Sequence, residues 1–409
     1  MTNQMIDTVA AHIHHLSSEI GPRPSGSVNC HAAADYIAGQ MRQFGWNVET
    51  QTFTCQNWQA ELAELTCNGK TFEVLANIYS PSCDVTANLV KACTLAELEA
   101  ADICGKIALL YGDLTQNPLS AKSWFLIDEH DKRIIEILEQ KAPAAVLTVQ
   151  MKPGSINRII EDWEFTIPSA TLPAESALAL FNEAAAPARL RLKTSRNEGT
   201  TANLVARRPG QRPETLVLCA HYDTKFDTPG AGDNAAGVAA LLGLAQHFSK
   251  VPTEIGLELV AFTNEEYLPI GDDTYLERAG EGFLDRVMLA VNFDGLGHIL
   301  DANTLAIYVA SPEFTACVEA ISKDFPAVQW VDPWPESNHS TFSFRGVPAL
   351  AFSSRALLHL AHQLDDTERW MNPQRIVEAV QLTARVVEAV QSKPRAWLRA
   401  SEKQDSGEA

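Results

Sequence analysis

Apolar positions follow two rhythms along this chain. From Met5 to Ile20, and again from Ala32 to Phe44, they return every three or four residues; this predicts two helices, separated by the chain-breaking GPRPSGS and ended at Gly45. WNVETQTFTC then reads as a strand. Between residues 55 and 200 the rhythm changes to short β-like runs, such as KIALLYG, AAVLTVQ and RLRLKTS, with one helical stretch at Lys132 to Lys141. From Asn203 onward strands and helices alternate. TLVLCAHYD, IGLELVAFTN, VMLAVNFDG, TLAIYVAS and VPALAFSS read as strands, and residues 234–248, 272–282, 312–324 and 373–390 as helices.

This alternation predicts an α/β fold, with a mixed twisted sheet flanked by helices. Residues 1–54 and 200–395 would form one discontinuous domain, with 55–199 as a smaller β-rich domain inserted into it and 396–409 as a polar, frayed tail. At 409 residues and 46% apolar content the chain can bury a large core. Its net charge of −19 excludes nucleic acid as an expected partner, because phosphate binding needs clustered Lys and Arg. No apolar run approaches the ~20 residues that span a bilayer, so no membrane partner is expected. MTNQMIDTVAAHIHHLSSEI lacks the basic and apolar regions of a secretory signal. The eight cysteines show no CxxC pair, which suits reduced thiols in a cytoplasmic protein. His12, His14 and His15 face different sides of a helix and read as ordinary helical residues, not a metal cluster.

The chemistry gathers at strand ends. His221 and Asp223 follow LVLCA, Asp233 closes the Gly- and Pro-rich loop after them, Glu265 and Glu266 follow LVAFTN, Asp294 follows LAVNF, and His362 follows the last strand. In open α/β sheets the crevice beyond the carboxyl ends of the strands is where ligands bind. Carboxylates with imidazoles and no cysteine suit zinc or a similar divalent ion. With Asp223 and one of the paired glutamates left for other roles, five ligands remain, too many for one open tetrahedral site; they fit two ions ~3.5 to 4 Å apart sharing one carboxylate. His221 and Asp223, two apart in an extended segment, point the same way, so Asp223 can orient the imidazole. Glu265 and Glu266, if extended, point apart, so one can bind metal while the other serves as general base.

HYD, GAGDNAAG, NEEYLPIG, NFDGLG, SNHSTFSFRGVPA and HQLDDT, in that order, resemble the successive motifs of the co-catalytic di-zinc aminopeptidase family, a superfamily that includes glutamate carboxypeptidases, glutaminyl cyclases and the transferrin receptor. The resemblance covers Asn203 to about Val390, with LSSEIGPRPSGS similar to the family's opening segment and 55–199 similar to its protease-associated (PA-like) insertion. It implies a zinc exopeptidase fold of the phosphorylase/hydrolase-like kind. One zinc would be held by His221 and Asp294 and the other by Glu266 and His362, with Asp233 bridging; cobalt or manganese could substitute. Glu265 matches the general base that acts on a zinc-activated water, and Asp223 the His orienter. His362, not His359, matches the last ligand because Asp366 and Thr367 follow it at the family's spacing.

Gln363, Asn338 and Leu268-Pro269 depart from that pattern without removing a ligand. His339 is a candidate oxyanion donor or a packing residue. The expected activity is removal of N-terminal residues from peptides. Alternatives are a carboxypeptidase of the same family, for which Arg345 or Arg355 could hold a terminal carboxylate, a glutaminyl cyclase-like acyltransferase, and a non-catalytic binding protein of transferrin-receptor type. The insertion, which lacks ligand-type residues at ligand spacing, is expected to serve as a lid or substrate-selecting wall. Side-chain preference and oligomeric state are not encoded in these motifs.

Overall fold

Residues Thr215–His221 form the strand around which the larger part of the molecule is built. The structure, a computed structural model, describes residues 3–124, 126–154, 156–183 and 186–400. It divides into two units: Met1–Cys55 with Gly199–Ala409, and Gln56–Glu198. Strands Asn47–Cys67 and Ala188–Arg208 carry the chain across the two boundaries.

In the larger unit the strands are β1 (Ala188–Arg208), β2 (Thr215–His221), β3 (Gly256–Phe262), β4 (Val287–Phe293), β5 (Asn303–Tyr308), β6 (Val328–Trp330) and β7 (Ala349–Ser353). They lie in the order β6-β5-β7-β4-β2-β3-β1. The four central strands, β7, β4, β2 and β3, are mutually parallel, while β5 and β1 join them antiparallel. All four therefore end on the same edge. Along β2 the side chains alternate: Leu216, Leu218 and Ala220 enter one apolar cluster, Val217 and Cys219 another. A sheet with both faces covered explains why these strands read as unbroken apolar runs.

Helices α1 (Asn3–His14), α2 (Val28–Gln43), α3 (Ala236–Phe248) and α4 (Pro373–Val390) contribute to the larger cluster, as does helix Pro312–Ser322 through Phe314, Val318 and Ile321. AGVAALLGLAQHF, the sequence of α3, is apolar nearly all round and buried from Ala236 through Ala245. Its Gly243 lets Val380 of α4 come within 3.3 Å of where a Cβ would stand. α4 is amphipathic, starts with Pro373 in its first turn, and is capped by the Asn372 side chain, which accepts from the Gln374 N–H.

The first predicted helix ends early as an α-helix. Beyond His14 the residues His15–Ile20 widen into a π-helical turn, and the Ser17 hydroxyl bonds back to the Ile13 carbonyl. Helix 272–282 lies instead at Ile270–Ala279. The expected frayed tail is packed at its start: Trp397 and Leu398 join the core cluster, and their carbonyls accept from Ser311. Residues 401–409 of that tail lie outside the described residues.

In the inserted unit five strands follow the order Leu75–Ala76, Ser169–Pro173, Ala145–Gln150, Ile107–Leu110, Leu89–Ala92. Only the first pairing is antiparallel. Helix Glu129–Lys141 contains the predicted stretch, is capped by Asp128, and buries Ile134, Ile135, Ile137 and Leu138. Leu95–Ala100 and Ala174–Phe181 are helices that periodicity did not reveal, being too short to establish a repeat.

Candidate metal and active site

Each central strand delivers a polar group at its carboxyl end. His221 is the last residue of β2, Asp294 follows β4, and Glu265 and Glu266 follow β3 by three and four residues. His362 comes after β7 and a 3-10 turn, Arg355–His359. Asp233 lies in the tight turn Ala231–Ala235 that opens α3. The Asn234 side chain ties this turn to β4: its amide donates to the Phe293 carbonyl at 2.8 Å and its oxygen accepts the Gly237 N–H at 2.9 Å. A Cβ on Gly237 would stand 2.2 Å from both the Asn234 Oδ1 and the Phe293 carbonyl oxygen, so only glycine permits this approach.

The side chains converge on Asp233. Its Oδ1 is 3.2 Å from the His221 Nε2 and its Oδ2 is 3.2 Å from the His362 Nε2. Asp294 Oδ1 stands 3.3 Å from the same His221 nitrogen, and Glu266 Oε2 stands 3.2 Å from that of His362. Glu265 Oε2 is farther, 3.9 Å from His221 Nε2. His221, Glu265 and Asp294 form one metal-competent group, and His221, Asp233 and Glu266 a second; within each, one donor atom per residue lies within 4.8 Å of the others.

Acceptors crowd these points. The His221 Nδ1–H donates to the Asp223 carbonyl at 3.2 Å, so in the neutral ring Nε2 presents a lone pair to two carboxylates. That arrangement calls for a cation between them, and imidazole nitrogen with carboxylate oxygen is the donor set of zinc and its first-row neighbours. The pKa shifts express the same electrostatics. Burial opposes a charge on His221, but Glu265 and Asp294 outweigh it and hold the ring well above its ordinary value. For His362, whose side chain is 50% exposed, desolvation is likewise outweighed by Glu266 and Asp233. Burial would raise Asp233, yet both imidazoles keep it far below the usual carboxylate range. Glu265 is pushed well up by burial and by Asp294 and Glu266, against the pull of His221. Glu266 is raised by burial and by Asp233.

Two expectations change in detail. Glu265 and Glu266 do not sit on an extended strand: after β3 the chain turns at Asn264, whose φ is +66°, and both glutamates occupy the turn. Their carboxylates diverge because of this turn rather than through strand alternation. Asp223 also differs from the expected orienter. Its carboxylate is 3.7 Å from the His221 Nδ1, so the backbone carbonyl of Asp223 takes that hydrogen bond. The carboxylate instead accepts from Ser25 Oγ (3.1 Å) and from the N–H groups of Glu265 (3.3 Å) and Glu266 (3.4 Å), tying down the glutamate turn.

His339 is fully buried between Tyr308 and Trp334, and its Nε2–H donates to the Trp334 carbonyl at 2.8 Å. Burial pulls its pKa down to about 4. With Nε2 committed, the neutral ring has only a lone pair left on Nδ1, an acceptor and not an oxyanion donor. Its neighbour Asn338 donates to both oxygens of buried Asp272 (3.1 and 3.0 Å), where an aspartate would set carboxylate against carboxylate. His359 closes the 3-10 turn and is exposed. Arg345 donates to the Thr341 carbonyl.

Two contributors carry no motif of their own. Lys225 gives its backbone N–H to Glu266 Oε1 (3.1 Å) and its ammonium to the Glu266 carbonyl (2.5 Å). Arg23, from GPRPSGS, is wholly buried, and its guanidinium donates to the carbonyls of Tyr222, Leu16, Gly21, Pro229 and Gly230.

Residues 203–387 match the profile of peptidase family M28. Among curated proteins the chain is 25% identical over 292 residues to aminopeptidase YwaD of Bacillus subtilis, covering 70% of this chain and 60% of that protein. It is 24% identical over 340 residues to a probable leucine aminopeptidase 2 of Aspergillus fumigatus, covering 77% and 64%. The matches thus span about 60% of the length of these relatives. Among solved structures, the zinc aminopeptidase BSAP from Bacillus subtilis superposes with a TM-score of 0.78 at 22% identity, covering 97% of this chain and 96% of that one. Fimbriiglobus ruber glutaminyl cyclase gives 0.52 at 15% identity, covering 94% of each. These likenesses show that the α/β architecture is that of the zinc aminopeptidases.

Proposed function

We propose that this chain, which belongs to peptidase family M28 through residues 203–387, is a metal-dependent aminopeptidase that removes N-terminal residues from peptides. The observation that carries the reading is the divided carboxylate of Asp233, one oxygen toward His221 and the other toward His362. His221 with Asp294 and His362 with Glu266 would each complete a zinc site around it, with cobalt or manganese as substitutes. Bound ions of this kind make water a nucleophile at neutral pH and polarise the scissile carbonyl.

The chain's own residues supply the rest. Glu265, 21% exposed, is the general base of this proposal. It accepts a proton as water oxygen bonds to the carbonyl carbon and returns that proton to the amine nitrogen as the C–N bond breaks. Burial and neighbouring carboxylates raise its pKa, which makes it a stronger proton acceptor than an ordinary glutamate. Asp223 holds the turn that carries Glu265 and Glu266, and its carbonyl fixes the His221 tautomer.

The inserted unit is read as a PA-like domain, supported by its β-rich composition, and 1–54 with 200–395 as the catalytic domain. Peptide is the proposed partner, without nucleic acid or membrane; among the described residues no helix is long and apolar enough to cross a membrane. Cytoplasmic residence belongs to the same proposal, on the strength of eight cysteines without disulfide-like spacing. Metal analysis beside a panel of peptides blocked at either end tests the reading. Two ions per chain and loss of cleavage on N-terminal blocking are expected. Cleavage that ignores the N-terminus but stops on C-terminal amidation would make it a carboxypeptidase, and cyclisation of N-terminal Gln would make it an acyltransferase.

A further inference from the structure

The segment Pro229–Asp233 presents the carboxylate on which both halves of the site depend, and its backbone is gripped from two directions. Arg23 lies on one side. Its Nη1 donates to the Pro229 carbonyl and its Nη2 to the Gly230 carbonyl, each at 2.8 Å. Its Nε donates at 2.7 Å to the carbonyl of Tyr222, the residue between His221 and Asp223, and Nη1 also reaches Leu16 and Gly21. A buried guanidinium ordinarily faces a carboxylate; this one spends its donors on main-chain carbonyls.

Asp366 lies on the other side, buried four residues beyond His362. Its Oδ1 accepts the Gly232 N–H at 2.8 Å, its Oδ2 accepts the Asp233 N–H at 3.0 Å, and its carbonyl accepts the Ala231 N–H at 3.2 Å. Five consecutive residues thus have carbonyls held by a cation or amides held by an acceptor. A Cβ on Gly230 would meet Thr224 Cγ2 at 2.3 Å and the Asp233 carbonyl at 2.5 Å; one on Gly232 would meet Leu357 Cδ1 at 2.3 Å. The clamp closes only on this backbone.

We propose that Arg23 and Asp366 are positioning residues that hold Pro229–Asp233 between them and so fix the Asp233 carboxylate at its two-sided station before any ion arrives. The inference rests on the reading of Asp233 as the shared ligand. Neither residue touches substrate or ion. Arg23 governs the side shared with His221, through Tyr222. Asp366 lies on the segment that carries His362 and ties that segment to Asp233, so its loss releases the His362 side first. The His221 side keeps two restraints, Arg23 on Tyr222 and Asn234 on Phe293.

The test is zinc titration against a chromogenic chelator for the parent, Asp366→Asn, Arg23→Lys and Val380→Ala, the last a core change on α4 that controls for general destabilisation. Asp366→Asn keeps the volume but turns one acceptor into an NH2 facing an N–H. It is expected to weaken the second zinc equivalent by about 10- to 100-fold and the first much less. Excess zinc should then restore kcat with KM unchanged. Arg23→Lys keeps the charge but cannot span three segments, and is expected to weaken both equivalents. Should Asp366→Asn fail to fold, Arg23→Lys carries the test. Val380→Ala should melt earlier yet bind zinc like the parent. Parental affinities in both clamp variants, or equal weakening in Val380→Ala, overturn the clamp while leaving the site intact. A parent that takes up no zinc overturns the reading of the site itself, and the clamp with it.

Discussion

Replacing the adjacent glutamates one at a time by glutamine separates their roles. Glu266 is buried with both oxygens engaged: Oε1 accepts the Lys225 N–H at 3.1 Å, and Oε2 lies 3.2 Å from His362 Nε2. A glutamine has one carbonyl oxygen for these two places. Turned toward Lys225, it leaves an NH2 facing the position of the ion, where it cannot act as a ligand. Turned the other way, it sets an NH2 against the Lys225 N–H, at a cost of roughly 1–3 kcal/mol for the unsatisfied donor. Glu266→Gln should therefore hold one ion instead of two and recover part of its activity in excess zinc.

Glu265 differs. Its nearest cationic contact is 3.9 Å away, outside hydrogen-bonding range, so glutamine fits the same space and removes only the proton acceptor. Loss of a general base costs about 10²- to 10⁴-fold in kcat, equivalent to about 2.7–5.4 kcal/mol of barrier. Metal content should stay at two. Turnover of an aminoacyl p-nitroanilide, measured beside zinc content by atomic emission on the same preparations, tests both statements. If Glu265→Gln loses an ion while Glu266→Gln keeps both, the roles are exchanged, an outcome the grouping of Glu265 with His221 and Asp294 makes physically accessible. Normal turnover in both variants would place the chemistry elsewhere.

Chelation should abolish activity, and zinc, cobalt or manganese should restore it; undiminished cleavage by protein verified metal-free refutes the metal reading. The metal-free protein should lose stability as pH rises from the ordinary carboxylate range, about 4, through about 7 and above. Glu265, Glu266 and Asp366, the last pushed up to about 7 by burial, have raised folded pKa values, so their contribution is full below the ordinary carboxylate range and lost as pH climbs through those values. His221 and His362, also raised, act in the same direction above ~6.5. Zinc requires the protons on its ligands His221, His362 and Glu266 to leave, so the Tm gap between zinc-loaded and metal-free protein should widen with pH over that window; a narrowing gap contradicts the argument. Gly237→Ala places a methyl 2.2 Å from the Phe293 carbonyl. It should cost about 1–3 kcal/mol and weaken zinc binding by moving Asp233 away from Asp294, which melting and titration together would detect.

How much of this was legible in the sequence depended on whether the signal was local. His221 and Asp294 announced themselves because a buried parallel strand is an unbroken apolar run, and a charged residue at its end stands out. The glutamate turn was misread as extended because NEEY carries no glycine or proline; the hint was Asn264, a residue type that tolerates positive φ. The work of Arg23 was invisible for a different reason. Its partners are carbonyls of Tyr222, Pro229 and Gly230, about 200 residues away, and every residue type has a carbonyl. Asn338 reads in sequence only as a departure from the family pattern; its partner is Asp272, a pairing no spacing rule connects. His339 was equivocal in sequence because only its surroundings decide which nitrogen carries the proton.

The half-exposed ring of His362 stands against the burial of His221, 1% exposed, on the other side of the shared Asp233. Of the two ion positions proposed, the outer would have the half-exposed His362 imidazole among its ligands, and the inner the buried His221 imidazole with Asp294, 16% exposed. Ions held at the two would exchange at different rates, because the half-exposed His362 ring can swing away into solvent whereas the His221 ring is buried at the end of β2. A weak chelator would strip the outer position and stop, leaving a one-ion protein. Incubating that form with a second metal would yield a mixed pair with known positional identity, so the division of labour between the two positions could be assigned spectroscopically with no mutation at all.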